Sequence, residues 1–195
     1  MERMKFITIM GIIGAGKTTL AELLSKRLNL DIYYEPVEHN PYLPLFYQDK
    51  ERYSFQLQIY FLLERLKQHR KLSETGGIQD RSIYEDSFFC DMLKDDGLLS
   101  QIDYNTYINL FKYLETDIKT PDCIIFLDVS PEKALERIRL RDRSYEKSMT
   151  LDYLTKLHKY YQKNLENFKG KIIRIPYDKF IDLDIILDHI VQSIQ

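Results

Sequence analysis

A glycine-rich loop near the start of the chain contains the first residues whose types and spacing could do chemistry. Residues 10–20 read MGIIGAGKTTL and hold the pattern G-x-x-x-x-G-K-T between Gly11 and Thr18. In such loops backbone N–H groups surround the phosphates of a nucleotide, and the dipole of the following helix adds to the attraction. A lysine placed like Lys17 reaches the β- and γ-phosphates, while the next hydroxyl ligates Mg²⁺. The alternative is a glycine turn with a surface lysine.

The context of the loop favours nucleotide binding over a plain turn. The loop follows a short apolar run at 5–10 and opens an amphipathic helical pattern at 18–28, and phosphate-binding loops join a strand to a helix in this way. We therefore predict a bound nucleoside triphosphate and Mg²⁺, and we leave the phosphate acceptor open at this point. The residues predicted to bind the triphosphate, which the resemblance described below identifies as ATP, are Gly11, Ile12, Ile13, Gly14, Ala15, Gly16, Lys17, Thr18 and Thr19, with Thr18 also a metal ligand.

Charged residues that follow two further predicted strands could serve the phosphate acceptor. Glu35 ends one of these strands, and Asp80 with Arg81 ends another. A kinase that acts on an alcohol needs a carboxylate near the hydroxyl to accept its proton. An arginine can pair with that carboxylate or hold a phosphate oxygen. The plainer alternatives are a solvated loop charge for Glu35 and a structural ion pair for Arg81.

Two more groups of residues could contact a ligand. Gln58 lies in a predicted long helix, where a buried amide could read the edge of a nucleobase; a surface glutamine is the alternative. The stretch RIRLRDR contributes Arg137, Arg141 and Arg143. It could be a nucleic-acid patch, an exposed charged helix face, or a lid whose arginines neutralise the transferring phosphoryl group. A charged segment between two helices, in a phosphate-binding chain without net basic charge, favours the lid.

The elements that position these residues alternate along the chain. Strands that alternate with helices predict a parallel sheet with helices on both faces, and ligands then bind at the carboxyl ends of the strands. This places the glycine loop, Glu35, Asp80, Arg81 and Asp128 along one edge. The predicted strands cover 5–10, 30–36, 76–82, 123–129 and 171–175. The predicted helices cover 18–28, 53–72, 84–94, 104–118, 131 to about 141, 151–168 and a final segment.

Length, charge and cysteine content limit the class of protein. The 195 residues are most simply one domain covering 1–195, and 28 basic against 30 acidic residues give a formal net charge of −2. That balance argues against a nucleic acid as the main partner. No apolar run is long enough to cross a bilayer, and the early strand leaves no room for a signal peptide. Cys90 and Cys123 read as core residues, so we expect a cytoplasmic protein.

Five segments together resemble a known family. They are GIIGAGKTT, YEPVEHNPYLPLFYQD, RYSFQLQIYFLLER, QDRSIYED and RLRDRSYE, and they run nearly the whole length of the chain. In this order and spacing they are similar to the deoxynucleoside kinase family, and within it to the bacterial deoxyadenosine and deoxyguanosine kinases. The resemblance implies a P-loop kinase fold with a five-stranded parallel sheet. It also implies transfer of phosphate from ATP to the 5′-hydroxyl of a 2′-deoxynucleoside, most simply a purine one.

The resemblance implies roles for the acceptor-side residues. Glu35 matches the carboxylate beside the 5′-hydroxyl, the usual general base. Asp80 and Arg81 match the acidic–Arg pair next to that hydroxyl and the metal. Many eukaryotic members have Glu where this chain has Asp80, so Asp80 is kept as a second proton acceptor and as a metal ligand, directly or through water.

Further matches concern the sugar and the base. Tyr47 and Glu146 match the residues that hold the sugar 3′-hydroxyl. Gln58 and Asp86 match the pair that reads the base edge, with Arg65 close to Asp86.

The lid, at about 137–147, matches through its arginines. Arg137, Arg141 and Arg143 correspond to arginines that contact ATP, and Arg141 is also assigned to catalysis. Asp142 replaces a common glycine and adds a negative charge there. The resemblance further implies a homodimer formed through two long helices, including 53–72, and inhibition by a deoxynucleoside triphosphate.

Two other classes of enzyme or switch share part of this pattern. A nucleoside monophosphate kinase such as thymidylate kinase would read EPGGT after the second strand, where this chain reads EPVEHNPY, and residues 35–49 contain no Lys or Arg for a second phosphate. A P-loop ATPase or switch could use Asp128 as a metal-binding carboxylate at a strand end. That class leaves Glu35 and Asp80 unexplained, and the chain has no N-K-x-D motif. Both alternatives are therefore less favoured.

Overall fold

The sheet at the centre of the molecule has five parallel strands. A computed structural model describes residues 5–143, 146–178 and 183–194. The strands lie in the order β2–β3–β1–β4–β5, which confirms the predicted α/β fold with a five-stranded parallel sheet. Residues 144 and 145 of the predicted lid lie outside the described residues. The strands are β1 (Phe6–Met10), β2 (Ile32–Tyr33), β3 (Gly77–Asp80), β4 (Cys123–Asp128) and β5 (Ile172–Pro176).

Helices cover the sheet on both sides. β1 and β3 are buried along their whole length, as expected when both faces of a parallel sheet are covered. α1 packs against β1, β2, β3 and α8, whereas α3 contacts β1, β3 and α4, and α4 packs on α7. In the described part of the chain the helices are α1 (Lys17–Leu28), α2 (Tyr42–Gln48), α3 (Lys50–Thr75), α4 (Ile83–Asp95), α5 (Gln101–Glu115), α6 (Pro131–Arg141), α7 (Leu151–Leu165) and α8 (Leu183–Ile194).

The second strand is much shorter than predicted. The expected strand at 30–36 is reduced to Ile32–Tyr33. It lies at the edge of the sheet, where its pairing with β3 is limited to the partners Ile78 and Gln79. Glu35 consequently lies in a loop two residues beyond the strand and not at its last position.

A short helix, α2, was not predicted from the sequence. Its start is capped by Asn40, whose Oδ1 accepts hydrogen bonds from the N–H groups of Tyr42 (2.9 Å) and Leu43 (3.1 Å). Pro44 occupies the first turn, where the missing N–H is tolerated. Pro41 directly before this seven-residue helix and Pro44 within it made a helix difficult to predict from periodicity.

The long helix α3 begins directly after α2. Asp49 caps it by accepting a hydrogen bond from the Arg52 N–H at 3.1 Å, so it starts at Lys50 and not at residue 53. None of the described helices combines the length and the apolar composition that a membrane-spanning segment needs.

Candidate active site

A cavity of about 710 Å³ lies at the carboxyl edge of the sheet, between the glycine loop, the loop after β2, α3 and the segment after α6. Most of the residues predicted from the sequence line it, which brings together side chains that are far apart along the chain. These are Ile13, Gly14, Gly16, Lys17, Thr18, Thr19, Glu35, Tyr47, Gln58, Arg65, Asp80, Arg81, Asp86, Arg141, Arg143 and Glu146. Gly11, Ile12, Ala15 and Arg137 lie beside the cavity and are not among its lining residues.

At Gly14 the backbone of the glycine loop lies close to the backbone of α6. At Gly14 the φ angle is +83°, and a Cβ built there would lie 2.4 Å from the carbonyl oxygen of Ala134 on α6. A side chain would therefore displace the loop from α6. Gly16, at the N-cap of α1, supplies no side-chain hydrogen bond to the first turn, so the N–H groups there suit an anion.

Lys17 is folded back onto this loop. Its Nζ donates hydrogen bonds to the carbonyl oxygens of Gly11 (2.9 Å) and Ile12 (3.0 Å). Burial, followed by the positive charge of Arg81, lowers the pKa of Lys17 to about 8. Lys17 is therefore a buried cation at neutral pH, next to the N–H groups that a phosphate would contact.

The three lid arginines occupy different places. Arg137 supports the glycine loop from outside the cavity, since its Nη1 donates to the carbonyl of Ala15 (3.0 Å) and its Nη2 to that of Tyr177 (2.7 Å). Arg141 lines the cavity and pairs with Glu146 through two hydrogen bonds of 2.7 and 2.5 Å. Arg143 lies 4.0 Å from the same carboxylate. Glu146 thus gathers two of the three arginines at the cavity wall.

Glu35 is held by two arginines. Its Oε1 lies 2.7 Å from Arg81 Nε and 2.7 Å from Arg65 Nη2. Burial alone would raise the pKa of Glu35, but the charges of Arg81, Arg65 and Lys17 outweigh it and lower the pKa to about 2. The carboxylate is therefore ionised at neutral pH and able to accept a proton, although it is a weak base while both arginines remain paired with it.

Asp80 and Thr18 form an oxygen-rich corner of the cavity. The Thr18 hydroxyl donates to Asp80 Oδ2 at 2.5 Å. The other oxygen, Oδ1, is buried and has no hydrogen-bond partner among the described residues. Burial raises the pKa of Asp80, against the opposing effect of Lys17. An unpaired carboxylate oxygen beside a hydroxyl fits Mg²⁺, which proteins hold with one or two carboxylates together with substrate phosphates.

The residues predicted to read a base also line this cavity. Asp86 is fully buried and is ion-paired with Arg65 Nη1. Neither oxygen of Asp86 has a hydrogen bond to a described residue. Gln58, 4% exposed, lines the same cavity. Buried polar atoms without hydrogen bonds are rare, so Asp86 suits a ligand that donates a hydrogen bond, while the Gln58 amide can both donate and accept.

Comparison with known proteins identifies the family. Residues 7–194 match the model of the family described as deoxynucleoside kinase. The chain belongs to the deoxynucleoside kinase family. It is 51% identical over 180 residues to a deoxyadenosine kinase of Dictyostelium discoideum, covering 90% of this chain and 74% of that protein. It is 43% identical over 169 residues to a deoxyadenosine/deoxycytidine kinase of Bacillus subtilis (strain 168), covering 84% and 78% of the two chains.

Solved structures agree with this assignment. The structure of deoxyadenosine kinase from M. mycoides with bound dCTP superposes with a TM-score of 0.85 at 34% identity, and the comparison covers 96% of this chain and 97% of that one. The same enzyme with bound dATP gives a TM-score of 0.85 at 33% identity. The chain is thus a kinase that acts on small nucleoside and nucleotide substrates, and a monophosphate kinase or an ATPase switch is not favoured.

Two buried residues of this deoxynucleoside kinase were missed in the sequence. Glu85, in the first turn of α4, accepts a hydrogen bond from Arg81 Nη1 at 3.2 Å. Tyr161, on α7, accepts one from the same nitrogen at 2.8 Å. The spacing S-x-x-E from Ser82 to Glu85 predicts a helix cap and so could have drawn attention to Glu85. Nothing in the pattern around Tyr161 distinguishes it from other core aromatics.

Asp128 does not join the site of this deoxynucleoside kinase. Its Oδ1 accepts hydrogen bonds from His158 Nε2 and Gln162 Nε2, both at 2.9 Å, and its Oδ2 lies 3.7 Å from Arg174 Nη1. These partners direct the carboxylate towards α7 and β5. A metal-binding role for Asp128, as in a P-loop switch, therefore finds no support in its contacts.

Proposed function

We propose that this enzyme transfers the γ-phosphoryl group of ATP to the 5′-hydroxyl of a 2′-deoxynucleoside. The observation that carries the proposal is the presence of Glu35 in the same cavity as Lys17 and Thr18. A carboxylate for the acceptor hydroxyl thereby faces the loop that is built for the donor phosphates. Membership of the deoxynucleoside kinase family supports the same reaction.

Different residues would bind the phosphate donor and the phosphate acceptor. The N–H groups of the glycine loop and Lys17 bind the phosphates of ATP, while Glu35 orients the 5′-hydroxyl and accepts its proton. Thr18 and Asp80 would hold Mg²⁺, which supplies positive charge to the bound phosphates. Asp80 is the second candidate for the proton, because burial makes it the more basic of the two carboxylates.

Charge in the transition state would be balanced by arginines. Phosphoryl transfer passes through a loose transition state in which positioning and electrostatic stabilisation supply most of the catalysis. Arg81 lines the cavity beside Glu35, which supports a role on the transferred phosphoryl group. Arg141 and Arg143 also line the cavity, in the proposed lid at about 137–147. Arg137 would act by holding the loop at Ala15.

For the deoxynucleoside itself we propose a purine, read by Gln58 and Asp86. Asp86 Oδ1 is ion-paired with Arg65, whereas Oδ2 has no partner among the described residues and could accept from a base amine. The Gln58 amide offers one donor group and one acceptor group. Relatives named deoxyadenosine kinase support this preference. Tyr47 and Glu146 would bind the 3′-hydroxyl of the sugar. Arg65 would hold the Asp86 carboxylate in place through their ion pair.

We further propose a homodimer, formed through long helices that include α3. Leu63 on α3 is 48% exposed, and Ile102 and Tyr113 on α5 are 79% and 70% exposed, which supports a covered surface there. A solution mass near twice 23.4 kDa is expected, and a monomeric mass would contradict the dimer. A single domain over 1–195, a cytoplasmic location and inhibition by a deoxynucleoside triphosphate are proposed as well. The last is supported by the M. mycoides enzyme described with bound dCTP and with bound dATP.

One assay tests the proposed reaction. Steady-state kcat/KM is measured for the four deoxynucleosides and for dTMP, with ATP and Mg²⁺ present. We expect 5′-phosphorylation of deoxynucleosides, with a purine one preferred. Activity on dTMP alone would replace the proposal with a monophosphate kinase, and ATP hydrolysis without any acceptor would replace it with an ATPase.

A further inference from the structure

A buried carboxylate lies behind Arg81, outside the cavity lining. Glu85 is fully buried, and its Oε2 accepts the Ser82 N–H at 2.7 Å, which completes the capping box at the start of α4. A helix cap needs no more than that. Yet Oε1 accepts hydrogen bonds from three other groups, the Gly11 N–H (3.1 Å), Arg81 Nη1 (3.2 Å) and the Tyr161 hydroxyl. The residue therefore has contacts that capping does not explain.

These contacts place the Arg81 guanidinium between two carboxylates. Glu35 lies on the Nε side at 2.7 Å, and Glu85 lies on the Nη1 side. Tyr161 accepts from Nη1 at 2.8 Å and donates its own hydroxyl to Glu85. An ion pair with Glu35 on one side and a charge-assisted hydrogen bond to Glu85 on the other restrain both the position and the plane of the guanidinium. Of the two carboxylates, Glu35 lines the cavity and Glu85 does not. Glu85 therefore restrains Arg81 from a position that a ligand in the cavity does not contact.

The backbone of Arg81 also depends on its surroundings. Its φ angle is +73°, in the left-handed region that residues other than glycine seldom adopt. The Arg81 N–H donates to the carbonyl of Ile9 on β1 at 3.0 Å. Strained conformations of this kind persist where neighbouring contacts over-determine them, and they cluster at functional sites. Glu85 supplies such contacts to the side chain of Arg81 and, through Gly11, to the start of the phosphate loop.

We propose that Glu85 is a positioning residue for phosphoryl transfer, which fixes the Arg81 guanidinium relative to the phosphate-binding loop. The inference rests on the proposed kinase function. In this role Glu85 touches neither substrate. Its carboxylate binds Arg81 on one side and the Gly11 N–H on the other. One residue thereby fixes the arginine relative to the loop that binds the phosphates of ATP.

The test compares Glu85→Gln and Tyr161→Phe with the wild type in the deoxynucleoside kinase assay. Gln keeps the shape of the side chain and an oxygen for the Ser82 N–H, but it loses the charge that holds Arg81. Because displacements of about 1 Å can cost about 100-fold in rate, we expect Glu85→Gln to lower kcat by about 10- to 100-fold. The KM values for ATP and deoxynucleoside should change by less than about threefold. Tyr161→Phe should give a smaller loss of kcat, and the double variant no more than Glu85→Gln alone.

Ser82→Ala is the matched control. It removes the other half of the same cap, the hydrogen bond from the Tyr84 N–H to the Ser82 hydroxyl at 3.2 Å, and leaves the contacts of Arg81 in place. We expect a lower melting temperature with kcat unchanged. Wild-type kcat in Glu85→Gln, additive losses in the double variant, or an equal loss of kcat in Ser82→Ala would each overturn the proposal. If Glu85→Gln does not fold, wild-type kcat in Tyr161→Phe overturns it. A wild-type enzyme inactive on every deoxynucleoside would instead overturn the proposed function.

Discussion

Arg65 Nη2 lies 2.7 Å from Glu35 Oε1, and the same guanidinium is ion-paired through Nη1 with Asp86. The arginine is 2% exposed and stacks on the ring of Phe61 at 4.4 Å. It therefore joins a carboxylate on the loop after β2 to one in the first turn of α4. One buried cation holds both the proposed proton acceptor and the proposed base-reading carboxylate.

This relationship predicts that Arg65→Lys is not a conservative change. A single ammonium cannot serve two carboxylates in the fork geometry of a guanidinium. Because a buried polar group left without its partner costs about 1–3 kcal/mol, we expect a loss of that size in the free energy of unfolding. We also expect at least about a tenfold fall in kcat/KM. Denaturant unfolding and steady-state kinetics measure both, with the exposed Arg70→Lys on the same helix as control. Wild-type values for Arg65→Lys would show that the bridge is dispensable.

Glu35→Gln should separate proton transfer from ATP binding. Loss of a positioned general base lowers rates by about 10²–10⁴-fold, so we expect a fall in kcat of that order. The Kd for ATP should stay near that of the wild type, because the phosphate loop is unchanged. Calorimetry gives the Kd, and Glu74→Gln at the exposed end of α3 is the control. Normal turnover in Glu35→Gln would transfer the role of base to Asp80.

The pKa of Lys17 predicts how ATP use depends on pH. Since that pKa is lowered to about 8, Lys17 in the free enzyme is protonated below pH 8 and becomes neutral above it. We expect kcat/KM for ATP to fall as the pH rises through about 8. Bound phosphate favours the charged ammonium and raises its pKa, so kcat should stay level over the same range.

The measurement is a pH profile of both constants between about pH 6 and 9.5. Lys17→Arg is the control, because a guanidinium does not titrate in this range; its kcat/KM should lack the fall. If kcat/KM of the wild-type enzyme for ATP does not fall at alkaline pH, the assignment of Lys17 to the phosphates is contradicted.

Gln58→Ala and Asp86→Ala should alter the choice of base more than the use of ATP. Both side chains line the cavity from α3 and α4 and not from the glycine loop, so kcat/KM ratios among the four deoxynucleosides should change by about tenfold or more. The KM for ATP should remain near the wild-type value. The exposed Gln101→Ala on α5 is the control, and melting temperatures check that each variant is folded. An unchanged ranking of nucleosides in both variants would remove them from base recognition.

Much of the fold and of the site could be predicted because the signals are local. The glycine spacing identifies the loop between β1 and α1, and the alternation of strands and helices identifies the parallel sheet. From these, the carboxyl edge brings Asp80 and Arg81 to the cavity. The prediction for the segment after β2 was less accurate, because edge pairing ends at Tyr33 and because Pro41 and Pro44 made the start of a helix such as α2 difficult to predict.

Contacts that depend on packing could not be predicted. Glu85 and Tyr161 are 76 residues apart and meet because α7 packs on α4, a relationship that no spacing in the sequence expresses. Arg137 and Arg141 are four residues apart on one helix, yet Arg137 turns to the carbonyl of Tyr177 and Arg141 to Glu146. Each arginine side chain turns towards its own acceptor, which lies just after β5 for Arg137 and after α6 for Arg141.

The hydrogen bonds of Lys17 to the carbonyls of Gly11 and Ile12 have a consequence for which anions can compete with ATP. Any anion that draws the ammonium away must replace two buried hydrogen bonds of 2.9 and 3.0 Å. A polyphosphate chain can do so, because it engages the loop N–H groups and the ammonium at several oxygens at once. Inorganic phosphate offers a single group for the same exchange. We therefore expect inorganic phosphate to compete poorly with ATP for this loop.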